Sequence, residues 1–313
     1  MPRNLNIIAI FIILILCTII FCYSSTDVKA KTGDFIYVGG TGLGNYSSIQ
    51  DAIDNSNHSD TIIVFAGNYS ENLIINKSIN LLGLDKNNVT IYGNNGLYSL
   101  LIKSPNITIS GFTITKSNVG ILLSGLDYNF CNIKNNIISN NNEAIRLINS
   151  SNNNISENII KQNLNFGIVL YESKFNIIYN NTFIENNKAI NLRRWSNYNE
   201  ISKNNLTSYN YGFNLDFSFF NNITENLITN GDYGIYLTSS KNNNVSFNYI
   251  GNNREIGIYT SSSDENFIGS NIFLNNNQDF SKKTKPPNIQ TPGFELLLVL
   301  LSIIFITFVK KYK

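Results

Sequence analysis

The chain is poor in the residues that bind soft metals or form disulfides. Its 313 residues include one histidine, one methionine and three cysteines. Two of the cysteines, Cys17 and Cys22, lie in an apolar N-terminal run, which leaves Cys131 without a disulfide partner. Copper needs clustered Cys, Met or His side chains, and His58 stands alone among polar neighbours. The sequence therefore predicts no metal and no cofactor, and it predicts that Cys131 is a small buried residue.

Charged residues are also scarce, at 14% of the chain. The two ends carry five basic and two acidic residues, so the segment between them keeps 18 basic and 19 acidic side chains and a net charge near −1. Binding to nucleic acid would require a basic surface, so we expect no nucleic-acid partner. Hydrophobic residues make up 42% of the chain, which is enough for a large core.

Asparagine, by contrast, is abundant, with 57 residues in the chain, and between Ile109 and Phe273 asparagines recur with a period of 22 to 24 residues. In seven successive repeats an aliphatic residue is followed three positions later by asparagine. A second asparagine column lies two positions before each aliphatic residue, with Cys131 in the first repeat. The first column contains Asn136, Asn158, Asn181, Asn204, Asn226, Asn248 and Asn271, and the second contains Asn153, Asn176, Asn199, Asn221, Asn243 and Asn266.

Each repeat also holds a small residue followed by an apolar-x-apolar triplet, as in Gly212 before Phe213 and Leu215. Such triplets predict short strands, and the asparagines and glycines predict frequent turns. One coil cannot bury its own apolar face, so we expect the coils to stack in parallel about 4.8 Å apart. A helical solenoid is disfavoured because no stretch shows helical periodicity.

These repeats, and the segment before them, resemble the right-handed parallel β-helix proteins of the pectin-lyase-like superfamily. The similarity is greatest to its NosD-like and carbohydrate-binding/sugar-hydrolysis group, and it runs from about residue 34 to 280. It implies an all-β fold, a single-stranded right-handed solenoid with a short capping helix at its N-terminal end. Ser48 is the expected N-cap of that helix, and Ile49, Ala52 and Ile53 fall on one helical face.

The two ends read as targeting segments. Residues 1–30 combine Arg3, a long apolar run and a plausible cleavage site at Ala30, which is typical of a signal peptide, with an uncleaved anchor helix as the alternative. Residues 31–280 form the predicted β-helix, and residues 281–291 form a polar linker. Residues 292–313 contain Pro292, Gly293 and Phe294, an apolar run and terminal lysines, which resembles the sorting signal of archaeal surface proteins. Either sorting or membrane insertion would place the β-helix outside the cell, anchored at its C-terminus.

Twelve Asn-x-Ser/Thr sequons occur in the chain, and for an exported protein they predict glycosylation at some of them. The sequons are at Asn45, Asn57, Asn68, Asn76, Asn88, Asn106, Asn149, Asn154, Asn180, Asn205, Asn222 and Asn244.

Enzymes with this fold act on polysaccharides, but their motifs are largely missing. The Gly-His-Gly and paired-aspartate signatures of polygalacturonases and the arginine motifs of pectate lyases are absent. Gly67, Tyr69 and Glu71 match part of a pectin methylesterase signature, without the partner motifs of that family. Fold similarity alone is therefore no argument for catalysis.

One lateral patch does suggest function. Just after the leucine of the triplet, three successive coils carry large or charged residues, where other coils carry serine or threonine. Glu172 and Asp216, two coils apart with Arg193 between them, are candidates for acid and base catalysis. Aromatic side chains could stack on sugar rings, and a solvated ion-pair ladder is the structural alternative. The candidate glycan-binding residues are Tyr171, Arg194, Trp195, Phe217, Tyr236 and Tyr259.

Three functions follow from these patterns. The favoured one is a surface-anchored, non-catalytic β-helix protein that binds extracellular or envelope glycans or acts as a structural component. The alternative is a polysaccharide lyase or hydrolase acting at Glu172, Arg193 and Asp216. A copper-site accessory role rests only on the NosD-like resemblance and is disfavoured.

Overall fold

The computed structural model describes residues 33–126, 128–207 and 209–283, and it shows an all-β parallel solenoid. Three parallel sheets, here called A, B and C, run along the molecule and contain 11, 10 and 10 strands. The chain visits sheets A, B and C in turn once per coil, and each strand pairs with strands one coil before and after it. The predicted fold class is therefore confirmed.

The strands of each sheet follow one another in chain order. Sheet A contains Phe35–Val38, Thr61–Val64, Asn80–Gly83, Thr108–Ser110, Asn132–Lys134, Asn154–Ser156, Ile177–Tyr179, Glu200–Ser202, Asn222–Thr224, Asn244–Ser246 and Phe267–Gly269. Sheet B contains Gly67–Tyr69, Val89–Tyr92, Thr113–Thr115, Ile137–Ser139, Ile159–Lys161, Thr182–Ile184, Asn205–Thr207, Leu227–Thr229, Tyr249–Gly251 and Ile272–Leu274. Sheet C contains Leu73–Ile75, Tyr98–Ile102, Val119–Ser124, Glu143–Ile148, Phe166–Tyr171, Lys188–Arg193, Tyr211–Asp216, Tyr233–Thr238, Ile256–Ser261 and Gln278–Lys283.

The core is a set of stacked apolar columns. Alternation along each short strand turns one or two side chains inward, and register pairing places them over their counterparts in the next coil. Ile145, Ile168, Ile190, Phe213 and Ile235 form one such column, and all five are fully buried. The last strand ends at Lys283, so the sheet extends three residues past the predicted boundary at residue 280.

A short helix, α1 (Ile49–Asn55), covers the first coil. Ser48 is its N-cap and accepts a hydrogen bond from the Asp51 amide, and Ile49, Ala52 and Ile53 are buried, as predicted. The carboxylate of Glu71 accepts hydrogen bonds from the amides of Ile49 and Gln50, both at 2.9 Å. Glu71 therefore accepts hydrogen bonds from N–H groups of the first helical turn, which have no partner within the helix. This gives the partial methylesterase signature a structural role.

Both predicted asparagine columns lie at turns, and their buried side chains bond from coil to coil. The first lies between sheets A and B, where the Asn158 backbone N–H and side-chain Nδ2 both donate to Asn181 Oδ1 at 3.0 Å. The second lies before sheet A and begins at Cys131, whose N–H donates to Asn153 Oδ1 at 2.9 Å. Inward-pointing amides are thus satisfied without water.

No helix among the described residues has the length and hydropathy that crossing a membrane would require. The predicted signal peptide at residues 1–30 and the Pro292-Gly293-Phe294 tail both lie outside the described part of the chain.

Candidate functional site

The outward face of sheet C brings the candidate residues into one row. Register pairing sets Tyr171 beside Arg193 and Arg193 beside Asp216, with Ile148 and Thr238 on the flanking strands. These positions are the last residues of their strands, so they border the turns that lead to sheet A. In three adjacent coils the row is therefore aromatic or charged, about 4.8 Å per step.

The turn after Arg193 differs from its neighbours in length and conformation. It contains one residue more than the corresponding turns after Tyr171 and Asp216. Arg194 and Trp195 both adopt left-handed backbone angles, with φ of 45° and 60°. Their amides donate to Asp216 O at 3.0 Å and Phe217 O at 2.6 Å, which fixes the turn on the next coil. A bulky residue in this region costs roughly 1–2 kcal/mol, so Trp195 is held outward at a cost in stability.

The two arginines pack on an aromatic ring. The Arg194 guanidinium carbon lies 4.9 Å from the Tyr171 ring centroid, and that of Arg193 lies 6.0 Å away. Among the described ion pairs, none joins either arginine to Glu172 or Asp216. The ion-pair ladder considered from the sequence is thus replaced by cation–π contacts, which leave the planar guanidinium groups at the surface.

Only one of the two candidate carboxylates lines a cleft with the exposed aromatic rings. Glu172 follows Tyr171 and lines a cleft of about 300 Å³ with Arg194, Trp195 and Phe217. Asp216 lies in the strand row beside Arg193 and is not part of that cleft. The cleft therefore offers one carboxylate, one guanidinium and two exposed aromatic rings, which suits ring stacking with polar contacts at its rim.

A second cleft of about 280 Å³ adjoins Tyr171 on the same face. Phe166, Val169 and Ile148 supply its apolar wall, and Arg193 lies at one side. Its floor is an ion pair between Arg146 and the nearly buried Glu143, in which Arg146 Nε donates to a Glu143 carboxylate oxygen at 2.6 Å. Because Glu143 neutralises Arg146, the charge of Arg193 is the one left for a ligand.

Farther along sheet C lies a cluster of four tyrosines, which includes the predicted Tyr236 and Tyr259. These two rings stack at 4.6 Å between centroids, and Tyr211 and Tyr233 stack at 5.1 Å. Tyr236 meets Tyr211 edge-on at 5.3 Å, which joins the two pairs. Burial raises the pKa of Tyr236, so its hydroxyl remains a neutral donor and acceptor at ordinary pH.

Lys188 links the tyrosine cluster to the two clefts. Its Nζ lies 5.0 Å from the Tyr211 ring centroid and 5.9 Å from that of Phe166. Burial lowers the pKa of Lys188, repulsion from Arg193 lowers it further, and attraction by Asp216 opposes both. The face from Phe166 to Tyr259 is thus a continuous strip of rings and cations, in which the half-buried Asn214 amide donates to the buried Asn191. We call it the aromatic strip.

Sequence reasoning missed an aromatic stack at the turn between sheets C and A. Phe175, Tyr198 and Phe220 lie in successive coils with centroid distances of 5.2 and 5.1 Å and nearly parallel rings. All three have positive φ and are about half exposed. The signal was present, because each directly precedes an asparagine of the second column, where the flanking coils have Asn152 and Asn242.

The potential metal donors among the described residues are dispersed. No group of three or more His, Cys, Asp or Glu side chains forms a plausible metal site in the described part of the chain. Cys131 is fully buried, and burial raises its thiol pKa to about 11, which keeps it protonated. His58 Nδ1 accepts a hydrogen bond from the Ser78 amide at 3.1 Å, far along the chain from Cys131.

Comparisons with known proteins agree with this architecture. Residues 53–216 and 207–290 match the family model described as periplasmic copper-binding protein (NosD). A cell surface glycoprotein of Methanothermus fervidus is 36% identical over 100 residues, which is 30% of this chain and 16% of that relative. The chain thus matches only a small part of the length of this relative.

Solved structures show the fold alone. The Dettilon tailspike protein has a TM-score of 0.50 and 13% identity, over 82% of this chain and 63% of that one. An alginate lyase from Paenibacillus sp. has a TM-score of 0.48 and 14% identity, over 74% of this chain and 96% of that one.

Since the family model covers most of the coils, the chain belongs to the NosD family of β-helix proteins.

Proposed function

We propose that this chain is an exported cell-surface β-helix protein that binds extended glycans along the aromatic strip of sheet C without cleaving them. The surface location is supported by the relative named as a cell surface glycoprotein, and by the signal-peptide-like and sorting-signal-like ends of the sequence. The binding role is supported by the strip itself.

A single observation carries the binding role. Trp195 lies in an extended turn, at a left-handed backbone angle, with 56% of its surface exposed. Neither burial nor backbone preference accounts for tryptophan at this position, where glycine or asparagine would be less strained. An exposed indole beside Arg194, Glu172 and Phe217 matches the chemistry of sugar binding, in which a ring stacks and polar groups accept and donate.

The length of the strip favours a polymer over a single sugar. Stacked coils repeat the surface about every 4.8 Å, so the coils from Phe166 to Tyr259 present a long outward track. The tyrosine hydroxyls and the half-buried Asn214 amide, whose Nδ2 donates to the buried Asn191 Oδ1 at 2.6 Å, provide uncharged hydrogen-bonding groups along it. Arg193 and Arg194 favour a glycan that carries some acidic sugars.

The described residues do not favour the two other candidate functions, copper binding and polysaccharide cleavage. The described donors do not fit a copper site, because Cys131 is buried and protonated and His58 has no neighbouring soft ligand. Cleavage at Glu172 and Asp216 would need both carboxylates on one scissile bond, whereas only Glu172 lines the cleft beside Trp195.

The test is retention of the purified protein on immobilised alginate, polygalacturonate and mannan, with released products followed by mass spectrometry. We expect retention without products. Trp195→Gly should weaken retention about tenfold and leave the folding stability unchanged or slightly higher, since glycine tolerates positive φ.

Phe247→Gly is the matched control, because Phe247 is also exposed and has φ of 58°, but lies at the turn between sheets A and B. It should bind as the wild type does. If the wild type releases products and Asp216→Ala does not, the protein is an enzyme and the proposal of binding without cleavage is wrong. Absence of retention on every polymer would leave a structural role.

A further inference from the structure

In the coils that carry the aromatic strip the sequons lie away from sheet C, whereas in earlier coils Asn76, Asn106 and Asn149 lie in the turns between sheets C and A. From Tyr171 to Lys283 the chain has four, at Asn180, Asn205, Asn222 and Asn244. All four lie in sheet A, in sheet B or in the turn between them. No sequon in this stretch lies in a sheet C strand or in the described turns on either side of sheet C. Because the chain runs from A to B to C, the A–B turn is the corner that does not adjoin sheet C.

Two of the four asparagines present a free amide to solvent. Asn180 lies in the A–B turn and Asn205 begins the next sheet B strand, and both are exposed. Their backbone N–H groups donate to Ser202 O and Asn181 O, but neither side-chain amide bonds to any described residue. Asn205 pairs with Thr182, so the two sites are neighbours in adjacent coils.

The other two asparagines are held within sheet A. Asn244 Nδ2 donates to Asn222 Oδ1 at 2.7 Å, and both residues are half-buried. The Asn244 side-chain oxygen is buried as well, so its amide cannot turn outward without disturbing the sheet. A sugar on Asn244 Nδ2 would have to occupy space that the neighbouring strand fills.

We infer that N-linked glycans occupy Asn180 and Asn205, that Asn222 and Asn244 stay unmodified, and that none of these four sites places a glycan on the aromatic strip. In this modification a bond forms between C1 of the first sugar and the asparagine Nδ2. The C1–O bond to a lipid-phosphate-linked oligosaccharide breaks, the lipid phosphate leaves, and the amide gives up one proton. The inference rests on the proposed export, since it requires that donor and its transferase.

The arrangement separates two kinds of surface. Glycans at the A–B corner cover the side of the solenoid that faces away from sheet C. Glycans at these two sites then leave the rings of the aromatic strip open to an external polymer. This division requires no change in the core, because Asn180 and Asn205 both point to solvent.

The test is site-resolved glycopeptide mass spectrometry on the full chain, produced in an archaeal host that glycosylates Asn-x-Ser/Thr, with protease treatment of intact cells to report export. We expect a glycan mass on the Asn180 and Asn205 peptides only, among the four. Thr182→Ala and Thr207→Ala should each remove one glycan while keeping the asparagine. Keeping the asparagine matters at position 180, because its φ is 54° and asparagine tolerates this left-handed angle.

Exported protein with bare Asn180 and Asn205 would overturn the inference and leave the proposed surface role intact. Equal modification at Asn222 and Asn244 would also overturn it, because burial would then not govern the choice of site. Protein that stays inside the cell would sink the proposed export and the inference with it, and the protease assay identifies that outcome.

Discussion

Stacked columns of side chains bond buried polar groups at the turn between sheets A and B and at the turn between sheets B and C. The two columns differ in their residues. At the A–B turn, seven asparagines from Asn136 to Asn271 bond to each other without a break. At the B–C turn, a third column contains Asn141, Asn163 and Asn186, then Tyr209 and Gly231, and then Asn253 and Asn276.

The interruption in the third column is bridged by one side chain. The ring of Tyr209 fills the space beside Gly231, and its hydroxyl donates to Asn253 Oδ1 at 3.0 Å, two coils on. The Gly231 amide donates to the same oxygen at 3.2 Å. In this column the larger Tyr209 and the smaller Gly231 together replace two adjacent asparagines and keep the space filled.

The continuous column should be sensitive to the loss of a single member. Asn181→Ala removes the acceptor of the Asn158 N–H and Nδ2, and it leaves the Ile155 carbonyl without its amide donor. Because all these groups are buried, we expect the free energy of unfolding to fall by about 3 kcal/mol. Chemical denaturation monitored by circular dichroism measures this loss.

Asn205→Ala is the matched control, since it removes an exposed asparagine one coil later. Its unfolding free energy should change by less than about 0.5 kcal/mol when protein without glycans is used. Equal losses in the two variants would show that the buried ladder contributes no special stability.

The interrupted column should show strong coupling between its two altered members. Gly231→Asn pushes a side chain into the Tyr209 ring, so we expect a loss of about 2 kcal/mol. Tyr209→Asn in the same chain clears the ring and restores an uninterrupted column, and the double variant should regain most of that loss. Additive losses in the double-mutant cycle would refute the compensation.

The smallest effect is expected at the start of the second column. Cys131 Sγ lies 3.7 Å from the Ser104 carbonyl oxygen in the preceding coil. In the first column, Asn136 Nδ2 likewise donates to a carbonyl oxygen of the preceding coil, that of Ile109. Cys131→Asn should therefore extend the column, with a change of about 0.5 kcal/mol or less in either direction. Cys131→Ala, which leaves a cavity, should cost about 1 kcal/mol by the same denaturation assay. An equal or larger loss for the asparagine variant would contradict the fit.

The fold was predictable because its signal repeats. Seven matches to one spacing predicted the coils, the first two asparagine columns and the apolar triplets. The third column was missed because the distance from its asparagine to the following small residue varies, being three residues from Asn141 to Ala144 and four from Asn163 to Gly167. The buried serines, such as Ser173 and Ser196, were missed because a serine in a polar turn looks solvated.

The candidate site was only partly predictable. Register places Tyr171, Arg193 and Asp216 in one row, as the repeat spacing predicted. The same spacing could not show that both arginines pack on Tyr171, or that Glu172 lines the cleft beside Trp195 and Asp216 does not. Side-chain direction depends on backbone angles in the turn, and the added residue at Trp195 changes those angles locally.

By itself the sequence determined the solenoid, its period and the helix that covers its first coil, because each of these depends on residues within one coil and its neighbours. Only the tertiary structure decided which surfaces the coils bring together. The joining of Tyr209 to Asn253, the two clefts beside Tyr171 and the separation of Asn180 and Asn205 from sheet C all depend on stacking. Stacking brings residues more than 20 positions apart in the chain to within about 5 Å of one another.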